Sequence, residues 1–216
     1  MNMLIGIAGK PRNGKDSIAK RLVEKHGFRH YSFADYLKWV SMEYFGFDKE
    51  VLWGPKTKES RLFLQQLGKY LTDLDSDILI KKVIEKIKLD YKKSVEENTE
   101  FRAVISDVRR EEETSLFKRE STAFLVYDDI MNSGVSLKNA FDKLLLLKVE
   151  RSLGLVLKEE PGIEECMNHP IEQLTNLYDD WDYLISNDKS IEDLNASVDR
   201  LVSELEEGSY NDSNQG

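Results

Sequence analysis

The stretch "IAGKPRNGKDSIAKRL", residues 7–22, decides the fold. Gly9 is followed, after four residues, by Gly14 and Lys15, the spacing of a phosphate-binding loop. Glycines let the backbone wrap an anion so that successive N–H groups point inward. A helix starting at the loop adds its N-terminal partial positive charge. Lys15 adds a full charge suited to β- and γ-phosphates. The flanks fit. Met3 to Ala8 is an apolar run that reads as a buried strand. Ile18, Leu22 and Val23 share a helical face, and His26-Gly27 stops that helix. Gly9, Lys10, Arg12, Asn13, Gly14, Lys15, Asp16 and Ser17 are therefore the candidate phosphate cradle.

Asp16 stands where this motif usually has a hydroxyl that reaches Mg²⁺. A carboxylate is a hard ligand and could approach the same metal, directly or through water. It could also act as a base, or orient an acceptor phosphate. In the plainest reading it only favours the first helical turn. Ser17, one place late, is a second candidate metal ligand.

Further strands are expected at Phe28 to Phe33, Phe101 to Ser106, Thr122 to Tyr127 and Trp181 to Ser186. Helices are expected at Ala34 to Tyr44, Lys58 to Leu71, Asp75 to Lys88, Arg110 to Lys118 and Ser190 to Glu206. The polar stretch Lys92 to Glu100 reads as a surface connection. Strands separated by helices predict an α/β fold with a mostly parallel five-stranded sheet, as one domain over 1–207. The segment 128–178 has no clear strand and a helical stretch from Val135 to Lys158, and reads as a lid. The tail 208–216 is polar and is expected to be disordered.

Two more constellations follow. Asp107, Arg109 and Arg110 come after an apolar strand, and the carboxyl ends of parallel strands are where open α/β sheets bind ligands. Asp107 could hold metal-bound water, and Arg109 could clamp a phosphate bidentately. Arg61 and Gln65 are four apart, hence on one helical face. Arginine suits an anion, and an amide offers donor and acceptor to a base edge. By themselves these two residues are an ordinary surface helix.

The net charge of −9 and pI near 5.0 argue against a nucleic-acid-binding surface. Cys166 is the one cysteine, so no intramolecular disulfide can form and a reducing, cytoplasmic setting is expected. The longest purely apolar run, Leu144 to Leu147, is too short to span a membrane. The N-terminus reads as a first strand and not as a signal peptide.

Taken together, these residues resemble the phage-type deoxynucleoside monophosphate kinases, a branch of the P-loop nucleoside monophosphate kinase group. In that branch the loop reads G-x-x-x-x-G-K-D-[ST], so Asp16-Ser17 is in pattern. The resemblance continues through Ala34 and Lys38 in "SFADYLK", Arg61, Gln65 and Gly68 in "RLFLQQLG", and Asp107, Arg109 and Glu113 in "DVRREEE". It ends with His169 and Glu172 in "HPIE" and with "DYLISNDKSIEDL". It implies a three-layer P-loop fold with a helical monophosphate-binding region (34–90) and a lid. It also implies Mg²⁺-dependent phosphoryl transfer from ATP to a (deoxy)nucleoside monophosphate, in the host cytoplasm if the chain is phage-encoded. Gly9 to Ser17 would hold the ATP phosphates. Lys38, Arg61, Gln65, Asp107, Arg109 and Glu113 would surround the acceptor. Lys15, Arg61 and Arg109 would neutralise charge, and Asp16, Ser17 and Asp107 would hold metal or water. Two departures stand out. Relatives often carry an arginine just after the fourth strand, where this chain, on the strand assignment above, has Tyr127-Asp128-Asp129. Ile171 stands where Ser or Thr is usual. Arg151 is the candidate lid cation, with Lys143 and Lys148 behind it. A kinase of another phosphorylated metabolite, of the phosphomevalonate type, and a non-catalytic nucleotide-binding descendant are the alternatives. A homodimer is left open.

Overall fold

The computed structural model describes residues 1–54, 57–118, 137, 140–160 and 162–208. Five strands form one parallel sheet: β1 (Met3–Ala8), β2 (Arg29–Tyr31), β3 (Arg102–Val108), β4 (Lys143–Glu150) and β5 (Tyr183–Ser186), in the order β2-β3-β1-β4-β5. The helices are α1 (Lys15–His26), α2 (Ala34–Phe45), α3 (Lys49–Trp53), α4 (Lys58–Leu74), α5 (Ile78–Glu96), α6 (Glu111–Thr114), α7 (Leu153–Glu159), α8 (Glu164–Met167), α9 (Pro170–Gln173) and α10 (Ile191–Glu206).

Strand β1 shows why three layers form. Its side chains alternate between faces. Leu4 and Ala8 join a core with Leu37, Leu64, Ile80 and Ile84 of α2, α4 and α5. Met3, Ile5 and Ile7 join a second core with Ile18 and Leu22 of α1 and Val198 and Leu201 of α10. Each fully buried aliphatic side chain stabilises the fold by about 1.5–3 kcal/mol. Gly6 lies against the ring of Phe117, and a Cβ there would sit 2.5 Å from Phe117 Cζ. On the second face, Asp199 of α10 accepts both a 2.9 Å and a 2.6 Å hydrogen bond from Arg21, pinning α10 to α1. Five helices thus bury the sheet, three on one face and two on the other, and the carboxyl ends of its strands share one edge.

The structure corrects the sequence reading at one strand. Val135 to Lys158 was expected to be helical within a strandless segment, yet Lys143–Glu150 is β4, paired with β1 and β5. A strand buried on both faces is a continuous apolar run, and periodicity cannot tell it from a buried helix. The expected strand at Thr122 to Tyr127 lies outside the described residues, as does the tail 209–216. Two helices also differ in length. The chain runs on as α5 to Glu96, through what was read as a connection, because its Lys and Glu residues are good helix formers. The helix expected over Arg110 to Lys118 is one short α turn and a 3₁₀ turn, whose Leu116 and Phe117 are buried beside β1.

Candidate active site

The loop after β1 has the backbone its glycines require. Gly9 and Gly14 have φ of 148° and 106°, both in the left-handed region, and Arg12 has 65°. A Cβ on Gly9 would also lie 2.5 Å from the carbonyl oxygen of Val149, and one on Gly14 would collide with the amide of Asn187. Two side-chain amides tie the loop to its neighbours. Asn13 Nδ2 donates to Val149 O at 3.0 Å, and Asn187 Nδ2 donates to Asn13 O at 2.9 Å. Lys15, buried at the start of α1, donates to the carbonyls of Gly9 and Lys10 at 2.7 and 2.9 Å. A cleft of about 1080 Å³ opens beside it. Asp16 and Ser17 line that cleft, with the Asp16 side chain exposed.

The opposite wall comes from distant segments. Arg61 and Gln65 project from α4, Lys38 from α2, and Asp107, Arg109 and Glu113 follow from the end of β3; all six line the same cleft. Lys38 Nζ lies 3.0 Å from Asp35 and 5.1 Å from the centre of the Trp53 ring. Arg109 is the centre of a charged network. Its Nε donates to Glu172 at 2.9 Å, and its guanidinium lies 3.9 Å from Asp107. Burial would lower its pKa, but the fields of Glu172 and Asp107 outweigh burial and raise it. Glu172 is only 2% exposed. Burial pushes its pKa up, yet Arg109 and Lys15 more than reverse this and hold it below the usual carboxylate range. Its other oxygen accepts from Gln65 Nε2 at 3.2 Å.

Two carboxylates expected at metal or substrate have other partners. Asp107 Oδ2 accepts from Ser32 Oγ at 2.7 Å and from Ala34 N at 2.9 Å, and Oδ1 accepts from Phe33 N at 2.8 Å. It caps the start of α2, which engages most of its acceptor capacity. Burial raises its pKa, but Arg109 and these donors together hold it low. Glu113 accepts from the backbone N–H groups of Arg109 and Arg110 at 2.7 and 3.1 Å. It fixes the turn that carries Arg109. Burial pushes its pKa up to about 7 against these two hydrogen bonds.

The assignment of β4 changes one apparent departure. Arg151 immediately follows Glu150, the last residue of β4, so an arginine does stand just after the fourth strand among the described residues. It lines the cleft and makes bidentate hydrogen bonds of 2.7 and 2.6 Å to Glu159. Lys143 and Lys148 are strand residues and not a lid face. His169 Nδ1 accepts from Ile171 N at 3.3 Å and so caps α9.

Three residues that the side-chain chemistry did not single out belong to this site. Glu172 holds Arg109 and Gln65, Asn187 braces the phosphate loop, and Glu160 meets Arg12 and Arg61. For Glu172 and Asn187 the only signal was their place in the motifs "HPIE" and "DYLISND". Mg²⁺ bound with a nucleotide needs only one or two protein oxygens, the rest coming from phosphates and water. The Ser17 hydroxyl and Asp16 carboxylate, hard oxygens beside the loop, fit that demand. Among the described residues no group of three or more His, Cys, Asp or Glu forms a metal cluster. No helix among them is long and apolar enough to cross a membrane.

A strand, glycine loop and helix at the centre of a five-stranded parallel sheet define a P-loop fold, and the cationic wall facing the loop suits a kinase. No protein-family model matches the chain. The chain is 30% identical over 193 residues to the "Putative deoxynucleotide monophosphate kinase" of Acanthamoeba polyphaga mimivirus, a match that takes in 81% of this chain and 97% of that one. It belongs to the deoxynucleotide monophosphate kinase family. Among solved structures it is similar to shikimate kinase from Aquifex aeolicus (14% identity, 97% and 99% of the two chains, TM-score 0.45). It is also similar to dephospho-CoA kinase from Campylobacter jejuni (15% identity, 97% and 100%, TM-score 0.44).

Proposed function

We propose that this chain transfers the terminal phosphoryl group of ATP to a (deoxy)nucleoside monophosphate, giving the diphosphate. The observation that carries the reading is the convergence of Lys38, Arg61, Gln65 and Arg109 on the wall opposite the phosphate loop. Phosphoryl transfer asks little covalent chemistry of a protein; it asks for two substrates in line and for developing charge to be neutralised. Lys15 and the loop amides hold the donor phosphates. Arg61 and Arg109 receive the acceptor phosphate, and Gln65 reaches towards the base. Arg151, at the end of β4, supplies a cation from the lid side. Ser17 and Asp16 would hold Mg²⁺, which supplies charge neutralisation on the donor phosphates. Asp107 and Glu113 act one step back, by fixing α2 and the Arg109 turn.

The loop sequence G-K-D-S supports placement in the phage-type branch, and the acidic chain supports a small acceptor and not a nucleic acid. The lone buried cysteine supports work in a reducing cytoplasm, the host's if the gene is a phage's. Arg151, immediately after β4, weighs against a non-catalytic descendant. The test is a coupled assay with ATP, Mg²⁺ and each common ribo- and deoxyribonucleoside monophosphate. Diphosphate formation from at least one deoxynucleoside monophosphate is expected. Turnover of none of them, with turnover of another phosphorylated metabolite, would move the enzyme to a different acceptor class.

A further inference from the structure

Three arginines around the cleft, from three different elements, face the carboxylates of one dipeptide. Arg12 of the phosphate loop forms an ion pair with Glu160 through Oε2. Arg61 of α4 lies 3.6 Å from the other oxygen of the same carboxylate. Arg151, after β4, grips both oxygens of Glu159. Glu159 ends α7 and Glu160 follows it. A small separate core fixes this segment: Val156 of α7 packs with Ile163, Cys166 and Met167, and Leu62 of α4 packs against them. Arg61 Nε and Arg151 Nε are buried without a partner, so each guanidinium has a donor left over.

A carboxylate that offers one oxygen to each of two guanidiniums meets the same donors as a bridging phosphate. Glu160 does so between an arginine of the donor loop and an arginine of the acceptor wall. We propose that Glu159-Glu160 is a built-in phosphate stand-in, which occupies Arg12, Arg61 and Arg151 until the phosphates of the substrates displace it. This rests on the reading of the cleft as a phosphate-binding site. The two carboxylates then compete with substrate and product alike. They weaken ground-state binding, keep the arginines arranged between turnovers, and let α7 move when the anion changes. Because a ligand shifts an equilibrium only by its difference in affinity for the two states, the competition must show as a binding penalty in the native chain.

The probe is inorganic tripolyphosphate, titrated by calorimetry into the native chain and into Glu160→Gln, Glu159→Gln and the control Glu164→Gln, with circular dichroism to check folding. Glu160→Gln is expected to bind about threefold to tenfold tighter, the range set by partly exposed ion pairs. Glu159→Gln should show a smaller gain, since it frees one arginine instead of two, and Glu164→Gln none. Unchanged or weaker binding in both Glu160→Gln and Glu159→Gln would overturn the proposal, because the glutamates would then hold the arginines in place without competing. If the native chain binds tripolyphosphate, such a result leaves the phosphate-site reading standing. If it does not bind, that reading fails and the stand-in fails with it.

Discussion

The two walls of the cleft are built on different principles. The loop wall is backbone: a single loop shaped by left-handed glycines and braced by two amides. The facing wall is side chain: Arg109, Glu172, Gln65, Asp107 and Glu113 come from three distant segments and hold one another by charge and hydrogen bonds. A backbone site depends on what cannot fit. A side-chain site depends on what must be paired. The first should break when one atom is added, the second when one partner is removed.

The largest effect is expected from adding an atom. Gly9→Ala places a Cβ against the Val149 carbonyl at a φ that L-residues rarely adopt. It should lower kcat/KM by about a thousandfold, since the loop donors lose their aim. Steady-state kinetics with ATP checks this; a loss of less than tenfold would show a pliable loop. Removing a partner comes next. Arg109→Ala leaves Glu172 buried without its cation, which should cost about 3–5 kcal/mol of stability by urea unfolding. The double variant with Glu172→Gln should recover part of that loss. Full additivity of the two would show that the pair does not act as a unit.

The smallest effect is a pH slope. Glu113 has its pKa raised in the folded state, to about 7, so the fold binds its proton more tightly than the unfolded chain. The stability it contributes is full below its unfolded pKa of about 4.5, is lost as pH rises from there to about 7, and is level above. The loss is at most about 3–4 kcal/mol. Urea midpoints across this window should fall less steeply in Glu113→Gln than in the native chain. Asp107 and Glu172 act in the opposite sense: their lowered pKa values give stability that is lost as pH falls below the usual carboxylate range. An identical slope in both chains between pH 4.5 and 7 would show that Glu113 is hydrated.

The same contrast explains what could be read in advance. The loop was legible because residues 9–17 lie between a strand and a helix with clear patterns. Gln65 and Arg109 were legible as types, but not as neighbours of Glu172, nor Arg61 as a neighbour of Glu160, because contact between segments so far apart in the chain leaves no local pattern. Asp107 was legible by its place at a strand end, but its hydrogen bonds to the start of α2 were not, because only the fold brings those donors to it. Strand β4 was hidden because burial on both faces erases alternation, and with it went the place of Arg151.

The amide of Asn187 reaches the carbonyl of Asn13 across 174 positions of chain. The phosphate loop is thus synthesised 174 positions before the residue that braces it. Until β5 and the turn after it have docked, the loop lacks one of its braces. On a ribosome, the nascent chain would carry the glycine motif long before it could hold a nucleotide firmly, so tight binding would report that the whole sheet has closed.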